Sequence, residues 1–326
     1  MRTPRFWRAN GATWPARLLS PVSWFWRAGA VQRARRAPTE RLAIPVICVG
    51  NVTAGGAGKT PTVHALVRWL RAHGQRPHIL LRGHGGNLPR RGVVAVDPAR
   101  HTVADVGDEA LLHARIAPTF AAYDRAAGAR EAACDADILI MDDGFQNPTV
   151  HKDLSLLVVD LGFGFGNGRI MPAGPLREPV DLALARAGGV IAIGNGPVPH
   201  MLHNIDVPLV RAQIVPAPAA MTLAGQRVLP VTGIGRPEKF VETLREMRCD
   251  IAGLLAFPDH HIFTDAELVD AVARAEGAGA IPVMTAKDHV RLPADSRDLF
   301  RTVDIHLEFR YSDDLDILLQ PLLRTG

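Results

Sequence analysis

Ile44-Pro45-Val46-Ile47-Cys48-Val49 runs directly into Gly50-Asn51-Val52-Thr53-Ala54-Gly55-Gly56-Ala57-Gly58-Lys59-Thr60-Pro61. A short apolar run, a glycine-rich loop and a lysine–threonine pair opening a helix build a nest of backbone N–H groups in which a polyphosphate can sit. Lys59 then reaches the terminal phosphates, and Thr60 places its hydroxyl on a magnesium ion. The expected cradle is Thr53, Ala54, Gly55, Gly56, Ala57, Gly58, Lys59, Thr60 and Pro61. Thr53 stands where the general pattern has its leading glycine. The alternative is a glycine-rich turn without a ligand, but turn chemistry alone does not account for Lys-Thr after this loop. The stretch predicts binding of a nucleoside triphosphate.

Downstream, Val63, Leu66, Val67 and Leu70 recur at helical spacing, and Gly74 stops the helix. Short apolar runs then alternate with helical patterns. Strands are expected at 78–81, 93–96, 138–141, 156–159 and 190–193, and a helix at 108–116. Such alternation predicts an α/β fold, a P-loop NTPase-like, mostly parallel sheet with helices on both faces. Ligands of such sheets bind beyond the carboxyl ends of the strands, where the glycine-rich loop lies. A proline-rich joint at 207–219 leads to a second pattern: a strand at 228–231, a helix opened by Pro237, a capping box at Thr264 to Glu267 and a strand at 282–285. The expected organisation is 1–36 as an amino-terminal membrane-associating helix, 37–215 as the kinase-like core and 216–326 as a smaller α/β lobe.

Chemistry-bearing residues gather at the ends of these runs. Met141 closes an apolar strand, and Asp142-Asp143-Gly144-Phe145-Gln146 follows. A carboxylate there suits a hydrated magnesium ion beside a phosphate loop, which favours a metal role over a solvated turn. Gly107-Asp108-Glu109 opens a helix, and a plain cap is the simple reading of Asp108 alone. Asp259-His260-His261 offers a carboxylate beside two imidazoles that can orient a base or phosphate donor, or can be a surface loop. The loop Asn167 to Pro179 is stiffened by prolines and glycines and carries Arg169 and Arg177 for anionic groups. Leu81-Arg82-Gly83-His84-Gly85-Gly86 is a second glycine-rich loop after a strand.

With 47% hydrophobic and 21% charged residues the chain of 326 is neither disordered nor fibrous, and it is long enough for a large core. The net charge of +4 is uneven. Arg2, Arg5, Arg8, Arg17, Arg27, Arg33, Arg35 and Arg36 face only Glu40 in the first forty residues, which points to an anionic partner. Trp14, Leu18, Val22 and Phe25 fall on one helical face there, with Trp24 and Trp26 nearby. That pattern fits a helix lying in the headgroup layer or one packed on the protein's own core. Pro21 predicts a kink or two short helices. No apolar run is long enough to span a bilayer, and the start does not read as a signal peptide. Cys48, Cys134 and Cys249 have no metal or disulfide spacing, so a reducing compartment and buried thiols are expected.

Taken together, the motifs resemble the tetraacyldisaccharide 4′-kinase family, the lipid A pathway kinases of Gram-negative envelopes. They are Gly50-Asn51-x-Thr53-x-Gly55-Gly56-x-Gly58-Lys59-Thr60-Pro61, Arg82-Gly83, Gly107-Asp108-Glu109, Asp142 to Gln146, Pro172 to Pro179 and Phe257-x-Asp259-His260. They keep the family's order over roughly residues 45 to 290, and Thr53 in the loop suits this family.

The resemblance implies Mg²⁺-dependent transfer of the ATP γ-phosphate to the 4′-hydroxyl of a lipid A disaccharide precursor, tetraacyldisaccharide 1-phosphate. It also implies a peripheral protein on the cytoplasmic face of the inner membrane, with no nucleic acid and no obligate protein partner. By the same resemblance Lys59 and Thr60 hold triphosphate and metal, Asp142 or Asp143 supports the metal, and Asp108 is the catalytic base paired with His260. Asn51, Arg82, Gln146, Arg177 and Glu178 are the implied substrate-side residues. Lobe closure before transfer follows if Asp108 and His260 belong to different lobes. His84 replaces the family's usual tyrosine, Asn147 a frequent histidine, and His261 leaves the choice of imidazole open. The rival readings are a regulatory P-loop ATPase, whose extra lysine is Ala54 here, and a nucleic-acid binder, for which stacking or groove-reading elements are missing.

Overall fold

The computed structural model describes residues 4–8, 13–311 and 313–323. Arg2 of the basic start, and residues 9–12 of the expected 1–36 segment, lie outside the described residues. Helix α1 (Trp14–Ala34) comes first. It is one continuous helix through Pro21 rather than the two short helices that were the other expectation. Tertiary bonds on both sides of the proline hold it: Arg169 Nη1 donates to Ser20 Oγ at 3.0 Å, and Ser23 Oγ donates to Ile170 O at 2.8 Å. Its small-residue face, Ala16, Ser23 and Ala30, is buried, while Trp14, Leu18, Val22 and Phe25 are exposed.

The chain then forms β1 (Val46–Gly50), α2 (Lys59–Ala72), β2 (Pro77–Leu81), β3 (Val94–Ala95), α3 (Val103–Val106), α4 (Asp108–Ala114), β4 (Thr119–Ala121), α5 (Arg125–Ala132) and β5 (Ile138–Asp142). It continues through β6 (Leu154–Asp160), α6 (Val180–Leu184), β7 (Gly189–Ile193) and β8 (Leu209–Pro216). Next come β9 (Arg227–Thr232), α7 (Pro237–Glu246), β10 (Asp250–Ile251), β11 (Leu255–Ala256), α8 (Asp265–Gly277), β12 (Ile281–Thr285), α9 (Ala286–His289) and β13 (Arg301–Val303). Last are β14 (Ile305–Phe309) and α10 (Asp314–Leu319).

Among the described residues one nine-stranded sheet has the order β14-β8-β7-β6-β1-β5-β2-β4-β3. Only its two outer pairs, β14–β8 and β3–β4, are antiparallel. Period-two alternation sends Ile47 and Val49 of β1 toward Val63, Leu66, Val67 and Leu70 of α2. Val46 and Cys48 go to the other face, with Met141, Phe145, Leu157 and Val159. Both faces are therefore covered, as parallel pairing requires. Val49 pairs with Asp142 in register, so the glycine-rich loop and the Asp142-Asp143 turn leave the sheet side by side.

A second, all-parallel sheet, β10-β9-β12-β13 with β11 beside β9, forms the small lobe with α7 and α8. The lobe does not extend to 326 as the sequence organisation has it. After β13 the chain returns to the large sheet, where β14 pairs with β8 from Ile305↔Pro216 to Phe309↔Ala212. Leu315, Leu318 and Leu319 of α10 then join the core beneath α2. The small lobe is thus an insertion between two neighbouring strands. Cys48 and Cys249 are buried, but Cys134 is exposed, because it follows α5 at the surface rather than lying on its inner face.

Candidate active site

Gly58 caps α2 with φ of +94°, a left-handed conformation open to glycine at little cost, and a Cβ there would meet Ile193 Cδ1 at 2.6 Å. The loop it closes is tied to the 167–179 loop: Ala54 N donates to Pro175 O at 2.8 Å and Arg177 N to Val52 O at 2.7 Å. From Lys59 a polar chain runs through the site. Lys59 Nζ donates to Asn51 Oδ1 at 3.2 Å and lies 3.5 Å from Asp143 Oδ1. Asn51 Nδ2 donates to Thr53 O at 2.7 Å. Arg177 Nη1 grips both oxygens of Asp143 at 2.9 and 3.1 Å. Gln146 Nε2 donates to Asn51 O and to Glu178 Oε1, each at 2.9 Å, and buried Glu178 pairs with Arg186. Seven predicted residues, Asn51, Thr53, Lys59, Asp143, Gln146, Arg177 and Glu178, therefore belong to one network.

A second cluster joins the two lobes. Gly107 has φ of +88° and leaves no room for a side chain, since a Cβ there would lie 2.4 Å from His84 O. It lets α4 start hard against the Arg82-to-Gly86 loop. Asp108, the first residue of α4, is buried. Its Oδ2 accepts from His260 Nδ1 at 2.9 Å and from Arg291 Nε at 3.0 Å and Nη2, and its Oδ1 accepts from Glu109 N at 2.9 Å. Lys287 Nζ stands 4.0 Å away. Burial alone raises the Asp108 carboxyl, but the His260 hydrogen bond and the Lys287 and Arg291 charges outweigh it and hold the group well below the usual carboxylate range. Arg291 is itself fixed by Gly233 O at 2.9 Å and Asp288 Oδ1 at 3.0 Å. Asp288 Oδ2 accepts from Thr232 and Thr285, each at 2.7 Å.

His260 has φ of +59°, uncommon outside glycine, which aims its half-exposed ring at Asp108. His261 instead bonds Glu267 Oε2 at 2.9 Å and stacks on Phe257, so of the two imidazoles it is His260 that meets Asp108. His84, the departure from tyrosine, lies nearly parallel to the His260 ring at 6.2 Å between centroids. Asn147 receives Thr149 N and Oγ1 on its Oδ1 and shapes its own turn.

Asp142 ends β5 buried. Its Oδ2 accepts from His113 Nε2 at 2.9 Å, and its Oδ1 has no hydrogen-bond partner. An unpartnered buried carboxylate oxygen that also feels the Lys59 charge suits a cation. Magnesium commonly takes one or two carboxylates together with substrate phosphates and water. Among the described residues no cluster of three or more His, Cys, Asp or Glu side chains is placed to hold a metal by itself.

Arg82 belongs to neither cluster; its guanidinium stands 4.1 Å over the Tyr123 ring. Gly55 and Gly56 are exposed at the loop tip, Ala57 is buried beneath it, and Thr60 and Pro61 open α2 half-buried. Sequence reasoning missed Lys287, Asp288 and Arg291. The signal was there: Thr285-Ala286-Lys287-Asp288 follows the expected 282–285 strand as the aspartate turn follows its own. It also missed Arg236, which donates to Gly56 O at 2.6 Å and, with Lys239, pairs with Asp160.

Residues 15–324 match the model of the LpxK family, tetraacyldisaccharide-1-P 4′-kinase. A tetraacyldisaccharide 4′-kinase of Rhodospirillum centenum is 50% identical over 99% of this chain and 97% of its own length. One of Rhodospirillum rubrum is 46% identical over 95% and 94%. Among solved structures, LpxK of Aquifex aeolicus in complex with ATP superposes with a TM-score of 0.75 at 23% identity, covering 95% of this chain and all of that one, which establishes a shared fold.

Proposed function

This chain belongs to the tetraacyldisaccharide-1-P 4′-kinase family, and we propose from that premise a mechanism for transfer of the ATP γ-phosphate to the 4′-hydroxyl of tetraacyldisaccharide 1-phosphate. The enzyme is a phosphotransferase with an alcohol acceptor, acting in lipid A biosynthesis. The observation that carries the mechanism is the meeting of Asp108 from the large lobe with His260 from the small one.

ATP enters the cradle from Thr53 to Pro61. Lys59 exchanges Asn51 and Asp143 for the terminal phosphates, and Arg177, already beside Asp143, follows the charge. Thr60 and Asp142 would hold Mg²⁺, with Asp143 next to them. When bound, that ion neutralises negative charge on the phosphates. The sugar oxygen attacks Pγ, the bond from Pγ to the β,γ-bridging oxygen breaks, and ADP leaves. The hydroxyl proton needs an acceptor, and the family resemblance suggests Asp108. Its four hydrogen bonds and depressed carboxyl favour the reverse division of labour. Asp108 is a fixed anion that receives His260 Nδ1–H and orients the ring, and His260 Nε2 takes the proton.

The exposed Trp14, Leu18, Val22 and Phe25 stripe, with exposed Arg17, Arg27 and Arg33 around it, favours α1 lying in an anionic membrane surface, on the cytoplasmic face of the inner membrane. Among the described residues no helix is long and apolar enough to cross a membrane. Incubation of the full-length protein with γ-labelled ATP and a purified lipid A precursor tests the reading. Label in the lipid is expected; label released only as inorganic phosphate refutes it. His260→Ala is expected to lower kcat by about 100- to 10,000-fold while ATP binding persists.

A further inference from the structure

The fold treats the two oxygens of Asp142 differently. Oδ2 accepts from His113 Nε2 at 2.9 Å, whereas Oδ1 is buried without a partner. A buried acceptor left bare costs about 1–3 kcal/mol, so its orientation has to be enforced by something. His113 is completely buried in the last turn of α4, and its other ring nitrogen meets His64 Nε2 at 3.2 Å. The two rings pack edge to face, 5.2 Å between centroids. His64 sits on α2, the helix that Lys59 and Thr60 open. Burial, then the neighbouring His113 and Arg68, push its pKa down to about 3, so the ring that braces His113 is neutral.

A core histidine that only satisfies itself needs no carboxylate. This one uses both ring nitrogens, and the carboxylate it holds has one oxygen bound and one bare. We propose that His113, braced by His64, is a positioning residue that turns Asp142 so that Oδ1 faces the divalent cation of the bound nucleotide. The inference rests on the reading of Asp142 as the metal-supporting carboxylate. Partners of metal-binding groups commonly change metal affinity by about 10- to 100-fold when removed. The same seven-residue helix carries Asp108 at its start, so the phosphate-side and acceptor-side halves of the site share one rigid support.

The test is Mn²⁺ affinity, read by electron paramagnetic resonance on the full-length protein with a non-hydrolysable ATP analogue, beside analogue affinity in EDTA. For His113→Leu, Mn²⁺ affinity in the ternary complex is expected to fall about 10- to 100-fold, with analogue affinity in EDTA unchanged. His113→Gln, whose amide nitrogen can approach the place of Nε2, is expected to recover most of the loss. Should His113→Leu not fold, His64→Leu leaves the Asp142 bond but removes its brace, and a smaller loss confined to Mn²⁺ is expected. Unchanged Mn²⁺ affinity in the variant that folds, or an equal loss with and without metal, overturns the proposal. If the unaltered protein gains nothing from Mn²⁺, the reading of Asp142 itself fails, and the inference with it.

Discussion

At the scale of single residues, the site is decided by who surrounds Asp108. An aspartate alone at the start of a helix reads as a cap, and its sequence neighbours do not reveal its partners. Those come from 152 and 183 residues away, in His260 and Arg291, which no local pattern connects. The positions of Lys59, Thr60 and Asp142 were legible because each lies a short spacing from a strand end, β1 for the first two and β5 for the third. The orientation of Asp142 was not, since His64 and His113 are ordinary positions on two helices until the fold brings them together. If Asp108 and His260 act as one unit, their losses do not multiply. The Asp108→Asn, His260→Gln double variant is expected to lose no more kcat than the worse single variant. A loss equal to the product of the two would show independent roles.

At the scale of elements, α1 is held by one face and free on the other. Ser23 Oγ and Trp26 Nε1 fasten it to the 167–179 loop, through Ile170 O at 2.8 Å and Arg177 O at 3.1 Å. The helix that bears the exposed stripe is therefore fastened to the loop that carries Arg177 and Glu178. Val22→Glu and Phe25→Glu are expected to weaken partitioning onto anionic vesicles by about tenfold or more each, on the scale of about 1.5–3 kcal/mol per buried apolar side chain. Because both positions are exposed, the urea midpoint should not move; a fall in it would mean that the stripe packs on the protein. The sequence periodicity located this stripe but left two readings. The fold leaves the stripe exposed and packs the opposite, small-residue face of Ala16, Ser23 and Ala30 on the protein.

At the scale of the whole molecule, charged pairs among the described residues link the lobes at two places: Asp108 with His260, Lys287 and Arg291, and Asp160 with Arg236 and Lys239. Burial raises the Asp160 carboxyl, but the Lys239 hydrogen bond and the Lys239 and Arg236 charges prevail and lower it. Both acids thus have folded values below the unfolded one, so their contribution is full above the unfolded value of about 3.9 and is lost as pH falls through the folded value. The difference in urea midpoint between the unaltered protein and Asp160→Asn is expected to hold above about pH 5 and to shrink below about pH 4. A difference that stays constant through the acid range would place Asp160 outside the linkage. The sheet class and strands β2, β3, β5, β6 and β7 were legible from alternating apolar runs, but β4 was not, and the stretch read as a proline-rich joint at 207–219 contains β8, a strand of the large sheet. The return of β14 was not legible either, because its short half-buried run pairs with a strand nearly a hundred residues upstream. That return has a consequence for synthesis. A nascent chain that has not yet emerged beyond residue 304 leaves the edge of β8 unpaired and the leucines of α2 uncovered by α10. The nucleotide domain, begun first on the ribosome, is finished last, with the small lobe already made in between, and its open edge is exposed to other strands throughout that interval.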